Sequence, residues 1–250
     1  MSAAAAPVVS LVRARRRHTR AHTHHCHHRR LRYPPFHRAF PAPATLCSLA
    51  ELSGMTCGII TMAVLGTDAR AWGKNTLGQL GNSTKTNQLS PVVVFGFAVE
   101  FSAGIDHSCA RLSTGSARCT GHNNFGQLGD GSLVDRDSPV DVLGLGTVGV
   151  AQIAVGASHS CARLSDGTAR CWGSNAAGQL GDGTSKDSSS ALAVPALTGV
   201  AKLVCGKAHT CTLLTSGEVK CWGSNVSGEI GEGADGVTVP KRLTPTAVAW

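Results

Sequence analysis

A chain of 250 residues with 42% hydrophobic content carries enough apolar side chain for a core, while 30 glycines against 4% aromatic residues favour tight turns and short strands over long helices. The net charge of +8 would suit a nucleic-acid or membrane surface, but residues 1–50 hold nine Arg, seven His and no acid, which leaves 14 basic against 15 acidic residues from position 51 onward. A basic patch on the folded body is thereby excluded; a basic tail is not.

The stretch Arg13 to Ala44 has no apolar periodicity and its charges all repel one another, so residues 1–45 are expected to form a disordered Arg/His-rich tail. Its arginines could touch phosphate, which makes the tail the one weak route to nucleic acid. His24, His25, Cys26, His27 and His28 are metal donors, but adjacent residues of a flexible strand do not fix four ligands in a tetrahedron, and no functional metal site is expected there. A secretory signal needs positive charge before its apolar run, whereas here "AAAAPVVSLV" precedes the arginines. An organelle transit segment or a mis-started reading frame fits that order better.

From 46 to 250 the chain repeats. Aligning the Asn of each Gly-x-Asn step gives Asn75, Asn123, Asn175 and Asn225, at spacings of 48, 52 and 50, each followed by a glycine-bounded tetrad such as "GQLG" at Gly178 to Gly181. A period near fifty with several short strands per unit marks a propeller or solenoid, whose units must stack to bury their faces.

The first copy departs from the others. Cys57 fits its first cysteine position, Ala71 stands where the partner should be, and the hairpin is four residues longer, so no covalent staple is expected there. In the third copy "VAQIAV" reads as a first strand, "SCARL" as a second, "TARCWG" as a third and "ALAVPAL" as a fourth. Opposing Cys161 to Cys171 leaves Ser165, Asp166 and Gly167 as a three-residue turn with Gly third, the position that must be left-handed. The same construction opposes Cys109 to Cys119 and Cys211 to Cys221. Directly opposed Cα atoms lie about 4.5–5.5 Å apart, inside the range a disulfide accepts. Disulfides are therefore favoured over reduced buried thiols and over a metal site, although His107, His159 and His209 each stand two residues before a cysteine. Cys205 reads as a small buried side chain.

Trp72, Trp172 and Trp222, with Thr120 in the second copy, read as blade-to-blade packing rather than ligand stacking. "GLGTVG" at Gly144 to Gly149 matches G-x-G-x-x-G, but the repeat register makes the next segment a strand where a nucleotide site needs a helix, so no cofactor is expected. The uncharged stretch Val142 to Ala162 is broken by glycines and reads as strand, so no membrane contact is expected.

At "CWGSNAAGQLGDGT" and "CWGSNVSGEIGEG" the chain resembles the regulator of chromosome condensation repeat family, over roughly Leu49 to the end. The resemblance implies seven-bladed β-propellers of about fifty residues per blade, with binding surfaces on blade-top loops and no active site. Paired cysteines resemble the copies in bacterial, often exported, members. The founding member is an exchange factor for the GTPase Ran and binds chromatin, using a wedge hairpin for which these spacings leave no room. The plant ultraviolet-B photoreceptor of the family uses a Gly-Trp-Arg-His-Thr motif, where this chain has "GKAHT" with Lys207 in the Trp place. A β-lactamase inhibitory relative shows that such propellers bind enzymes.

The expectation is an all-β, open, partial propeller of about four blades, the first degenerate and the last truncated, serving as a non-enzymatic protein-binding scaffold. The alternative is an exchange factor or chromatin-associated regulator of a small GTPase. Four copies where seven would need about 350 residues suggest a fragment, self-association, or blades completed by another chain. The cysteine pairs favour an oxidising, extracytoplasmic compartment, with the cytosol or nucleus as the alternative.

Overall fold

The computed structural model describes residues 56–57, 60–65, 68–233 and 239–249. The expected tail over 1–45, with its His/Cys run, lies outside them. The described residues form four antiparallel four-stranded sheets in an open, partial propeller-like arrangement. Sheet one holds β1 (Thr56–Cys57), β2 (Ile60–Leu65), β3 (Asp68–Gly73) and β4 (Gln88–Val93). Sheet two holds β5 (Ala98–Ala103), β6 (His107–Leu112), β7 (Ala117–Gly121) and β8 (Arg136–Asp141). Sheet three holds β9 (Val150–Val155), β10 (His159–Leu164), β11 (Ala169–Gly173) and β12 (Ser188–Ala193). Sheet four holds β13 (Val200–Cys205), β14 (His209–Leu214), β15 (Val219–Ser224) and β16 (Lys241–Ala247).

Each sheet is an up-and-down meander, because short apolar strands are separated by turn residues that leave no room for a crossover. The central hairpins close as the register requires. Leu164 N–H bonds to Thr168 carbonyl and Gly167 N–H to Leu164 carbonyl, which leaves Ser165, Asp166 and Gly167 as the loop, with Gly167 at φ 78°. The turns at Gly115 and Gly217 repeat this geometry.

Counting back from the Leu112–Ser116 hydrogen bond makes Cys109↔Cys119 a non-hydrogen-bonded pair, where opposed residues come closest. The Cα atoms of all three cysteine pairs are 4.1 Å apart and their sulfurs are at bonding distance.

Three expectations need correction. In sheet one the residue opposite Ala71 is Met62, and Cys57 lies on β1, paired with Thr61. The hairpin there closes at Leu65↔Asp68 and is shorter than its counterparts, not longer. The fourth strand of copy three runs Ser188–Ala193 rather than over 191–197, and it stops there because Pro195 has no N–H to pair and Ala196 turns away at φ 56°. The fourth copy, expected to be truncated, carries its outer strand β16 and a complete sheet.

A separate apolar cluster fills each of the three seams between successive sheets. Phe95, Phe101 and Leu80 belong to the first, Leu128, Ile153 and Trp172 to the second, and Leu180, Leu203 and Trp222 to the third. Each fully buried side chain of this size stabilises by about 1.5–3 kcal/mol. Gly144 to Gly149 connects β8 to β9 and leads into a strand, so no nucleotide-binding helix follows it. Among the described residues no helix is long and apolar enough to cross a membrane.

Candidate binding face

The alternation of strand direction sorts the connections to two ends. The short 1→2 turns and the long 3→4 loops share one end: His122 N–H bonds to Asp106 carbonyl, Ser174 to Ser158 and Ser224 to Ala208, and Lys74 pairs with Asp106 at 2.8 Å. The three-residue hairpins occupy the other. The first is termed the loop end.

Every 3→4 loop is organised by its Asn, and all four are fully buried. Asn175 Oδ1 accepts from Leu180 N–H at 3.0 Å, while its amide donates to Asp182 Oδ1 at 3.0 Å and to Thr184 carbonyl at 3.2 Å. Its own N–H reaches Asp187 Oδ1 at 2.7 Å. Asn75 and Asn123 make the same set, and Asn225 binds Ile230, Glu232 and Val239. An amide suits this place because it offers donors and acceptors together, without a charge to desolvate.

Between Asn and Gly the loop presents two residues that differ in every copy: Thr76 and Leu77, Asn124 and Phe125, Ala176 and Ala177, Val226 and Ser227. Phe125 is 41% exposed and Val226 68%, and Leu133, farther along the second loop, is 60% exposed. A fixed framework with variable, partly apolar tips is the arrangement of a recognition surface. A cleft of about 420 Å³, lined by Phe125, Leu133, Asp187 and Ser189 among others, separates the second and third loops.

The remaining repeat positions stitch the sheets together. Trp172 donates its indole N–H to Gln127 carbonyl and Trp222 to Gln179 carbonyl, both at 2.9 Å. Thr120 hydroxyl, in the Trp place of sheet two, lies 2.9 Å from Gly78 carbonyl across the seam and 2.8 Å from Arg136 carbonyl of its own sheet. Trp72, on the outward side of sheet one, is only half-buried. The loop glycines serve close approach as well as turning: a Cβ on Gly126, at φ 78°, would lie 2.5 Å from Ser189 Cα in the next sheet.

The recurrent histidines bond across the same seams. His107 Nε2 lies 2.9 Å from Ser160 Oγ and His159 Nε2 3.0 Å from Thr210 Oγ1. Each hydroxyl already donates its one proton, Ser160 to Gln127 carbonyl and Thr210 to Gln179 carbonyl, so each imidazole donates from Nε2 and is neutral. Burial lowers both pKa values to about 3, with a neighbouring histidine adding to the shift. Their partner is thus the next sheet's hydroxyl.

Sequence reasoning passed over Ser108, Ser160 and Thr210, and Gln79, Gln127 and Gln179. Their signal was recurrence at one place per copy, the same signal that marked Asn and Trp.

Two models described as the Regulator of chromosome condensation (RCC1) repeat match the chain, one over 98–127, 150–179 and 200–229, the other over 71–111 and 119–163. Together they take in more than half of its residues. Each match of the first kind begins on an innermost strand and ends at the Gln or Glu of the loop tetrad. Among solved structures, yeast RCC1 (Prp20) bound to Kap60 superposes with a TM-score of 0.68 at 22% identity, over 77% of this chain and 48% of that one. Human WBSCR16 gives 0.66 at 24%, over 76% and 49%. Prp20p from Saccharomyces cerevisiae, described with its binding properties to Gsp1p and histones, gives 0.66 at 23%, over 77% and 49%. The chain spans about half the length of these structures.

These relatives overturn the extracytoplasmic localisation favoured from the cysteines. A protein with binding properties to histones belongs with chromatin, not outside the cell, and it is among the structures on which this fold superposes. The physical reason for the error is simple: opposition at a close strand pair brings two sulfurs together through register alone, so the spacing reports the hairpin and not the compartment.

Proposed function

The chain belongs to the regulator of chromosome condensation (RCC1) repeat family, and from that premise we propose that it is a protein-binding propeller scaffold that regulates a small GTPase through its loop end. RCC1-type proteins promote nucleotide exchange and are not catalytic enzymes in the ordinary sense. Such an activity asks for a rigid surface that holds one conformation of the partner, which four buried asparagines and three packed seams provide. One observation carries the reading: constant Asn-centred loops present non-repeating tips, with Phe125, Leu133 and Val226 open to solvent. Kinship with Prp20p, described with binding properties to Gsp1p and histones, supports a GTPase of the Gsp1p class as the partner ahead of an unrelated protein.

The experiment is release of a fluorescent GDP analogue from a Gsp1p-class GTPase, followed with increasing amounts of this chain. A concentration-dependent acceleration is expected. Neither acceleration nor binding would overturn the proposal, and binding without acceleration would reduce it to a scaffold.

A further inference from the structure

Seam three differs from seam two at one position. In both, a histidine and an opposed cysteine pair of one sheet face a hydroxyl of the next: His107, Cys109 and Cys119 against Ser160, then His159, Cys161 and Cys171 against Thr210. The residue paired with that hydroxyl across the innermost strands is Val155 in sheet three and Cys205 in sheet four. Cys205 is a free cysteine. A ligand atom of His159, one of Cys161 and the Cys205 sulfur all lie within 4.8 Å of one another, and the Cys171 sulfur is bonded to that of Cys161. The group gathers round Thr210 Oγ1, 3.0 Å from His159 Nε2 and 3.9 Å from Cys161 Sγ.

We infer that, once the Cys161–Cys171 pair is reduced, His159, Cys161, Cys171 and Cys205 form a site for one divalent ion of the zinc class, locking sheet three to sheet four. Three thiolates and one imidazole are a closed tetrahedral zinc set whose donors stand about 3.5–3.8 Å apart, so the His159, Cys161 and Cys205 atoms, all within 4.8 Å, need to close by at most about 1 Å while the two paired sulfurs move apart. A dithiol reductant passes two electrons and two protons to the Cys161–Cys171 bond and leaves as its own disulfide. Metal entry then releases one proton from each of the three thiols, while the imidazole binds in its neutral form. A cleft of about 330 Å³, lined by Gly156, Cys205, Gly206 and Lys207 among others, opens the Cys205 side of the site at the loop end. A nuclear, reducing setting is the one in which these cysteines are thiols.

The test is titration of the full chain, reduced and oxygen-free, with Co²⁺ followed by Zn²⁺. Cys205→Val is the control, because Val155 fills the same place in sheet three and the packing tolerates it. Any metal taken up by the His/Cys run at His24 to His28 is common to both proteins and cancels in the difference. The wild type should take up one more tightly held ion than Cys205→Val. It should show sulfur-to-cobalt charge transfer and a tetrahedral cobalt spectrum displaced by zinc, with affinity at least about 100-fold above the variant's. Cys109→Ser with Cys119→Ser should leave that spectrum unchanged, and protein oxidised at Cys161–Cys171 should lack it. Equal uptake and equal spectra for wild type and Cys205→Val would overturn the inference.

Discussion

Trp222 of sheet four donates its indole N–H to the main-chain carbonyl of Gln179 in sheet three, at 2.9 Å, with the whole side chain buried. Trp172 does the same to Gln127 one seam earlier. The bond joins a strand to the loop tetrad of the preceding sheet, so it couples the packing of the seams to the shape of the loop end.

Replacing Trp172 by Phe removes that donor but leaves the carbonyl its bond from Ser160 Oγ, so the loss should cost about 0.5–1.5 kcal/mol. Trp172→Ala also empties the seam and should cost about 3–5 kcal/mol. Denaturant unfolding of the two variants checks both values and their order.

Asn175 is the sharper probe of the loops. Asn175→Asp keeps the shape but aims a carboxylate at Asp182 Oδ1 and the Thr184 carbonyl, where an amide donated before. Loss of at least about 2 kcal/mol is expected, with fast hydrogen exchange confined to residues 174–187. Exchange unchanged in that loop would contradict the role given to the amide.

Two glycines of similar backbone separate strain from crowding. Gly217→Ala, at φ 89° with nothing within 4 Å of its new methyl, should cost about 1–2 kcal/mol for the left-handed conformation alone. Gly126→Ala, at φ 78°, adds a collision with Ser189 Cα and should cost about 1–3 kcal/mol more. Equal destabilisation would mean that the sheets do not approach as described.

Acid stability follows from His107 and His159. Both have a folded-state pKa of about 3, below the unfolded value of 6.5, so in this range the unfolded chain binds protons that the folded one refuses. Their effect on stability is flat above about pH 7, falls as pH drops below 6.5, and levels off again near pH 3. At pH 4.5 each histidine should weaken the fold by roughly 2–3 kcal/mol relative to pH 7.5. Unfolding free energies measured across that range, with His107→Gln as a partner-preserving control, should show the dependence shrink in the variant.

The cysteine hairpins were legible in the sequence because a strand's period of two and a Gly-third turn fix register locally: Cys161 had to face Cys171 once Gly167 was placed. Sheet one lacked both marks, and its hairpin closes at Leu65↔Asp68, so Cys57 was assigned a place that Met62 occupies. Asn175 could be recognised by recurrence, but its task depends on partners as far as Asp187, whose loop path no local rule predicts. Cys205 is the clearest limit. Nothing in its own strand points to His159 and Cys161, which reach it across a seam from the preceding repeat.

The most direct test of the account is the affinity of a Gsp1p-class GTPase for the chain carrying Phe125→Asp with Val226→Asp at the loop end, beside Ser216→Asp in a hairpin turn at the other end. All three residues are exposed, so the fold should be unaffected. Binding weakened at least about tenfold by the loop-end pair and untouched by Ser216→Asp is the expected result. Binding insensitive to the loop-end pair, or lost only with Ser216→Asp, would contradict the assignment of the loop end as the working surface.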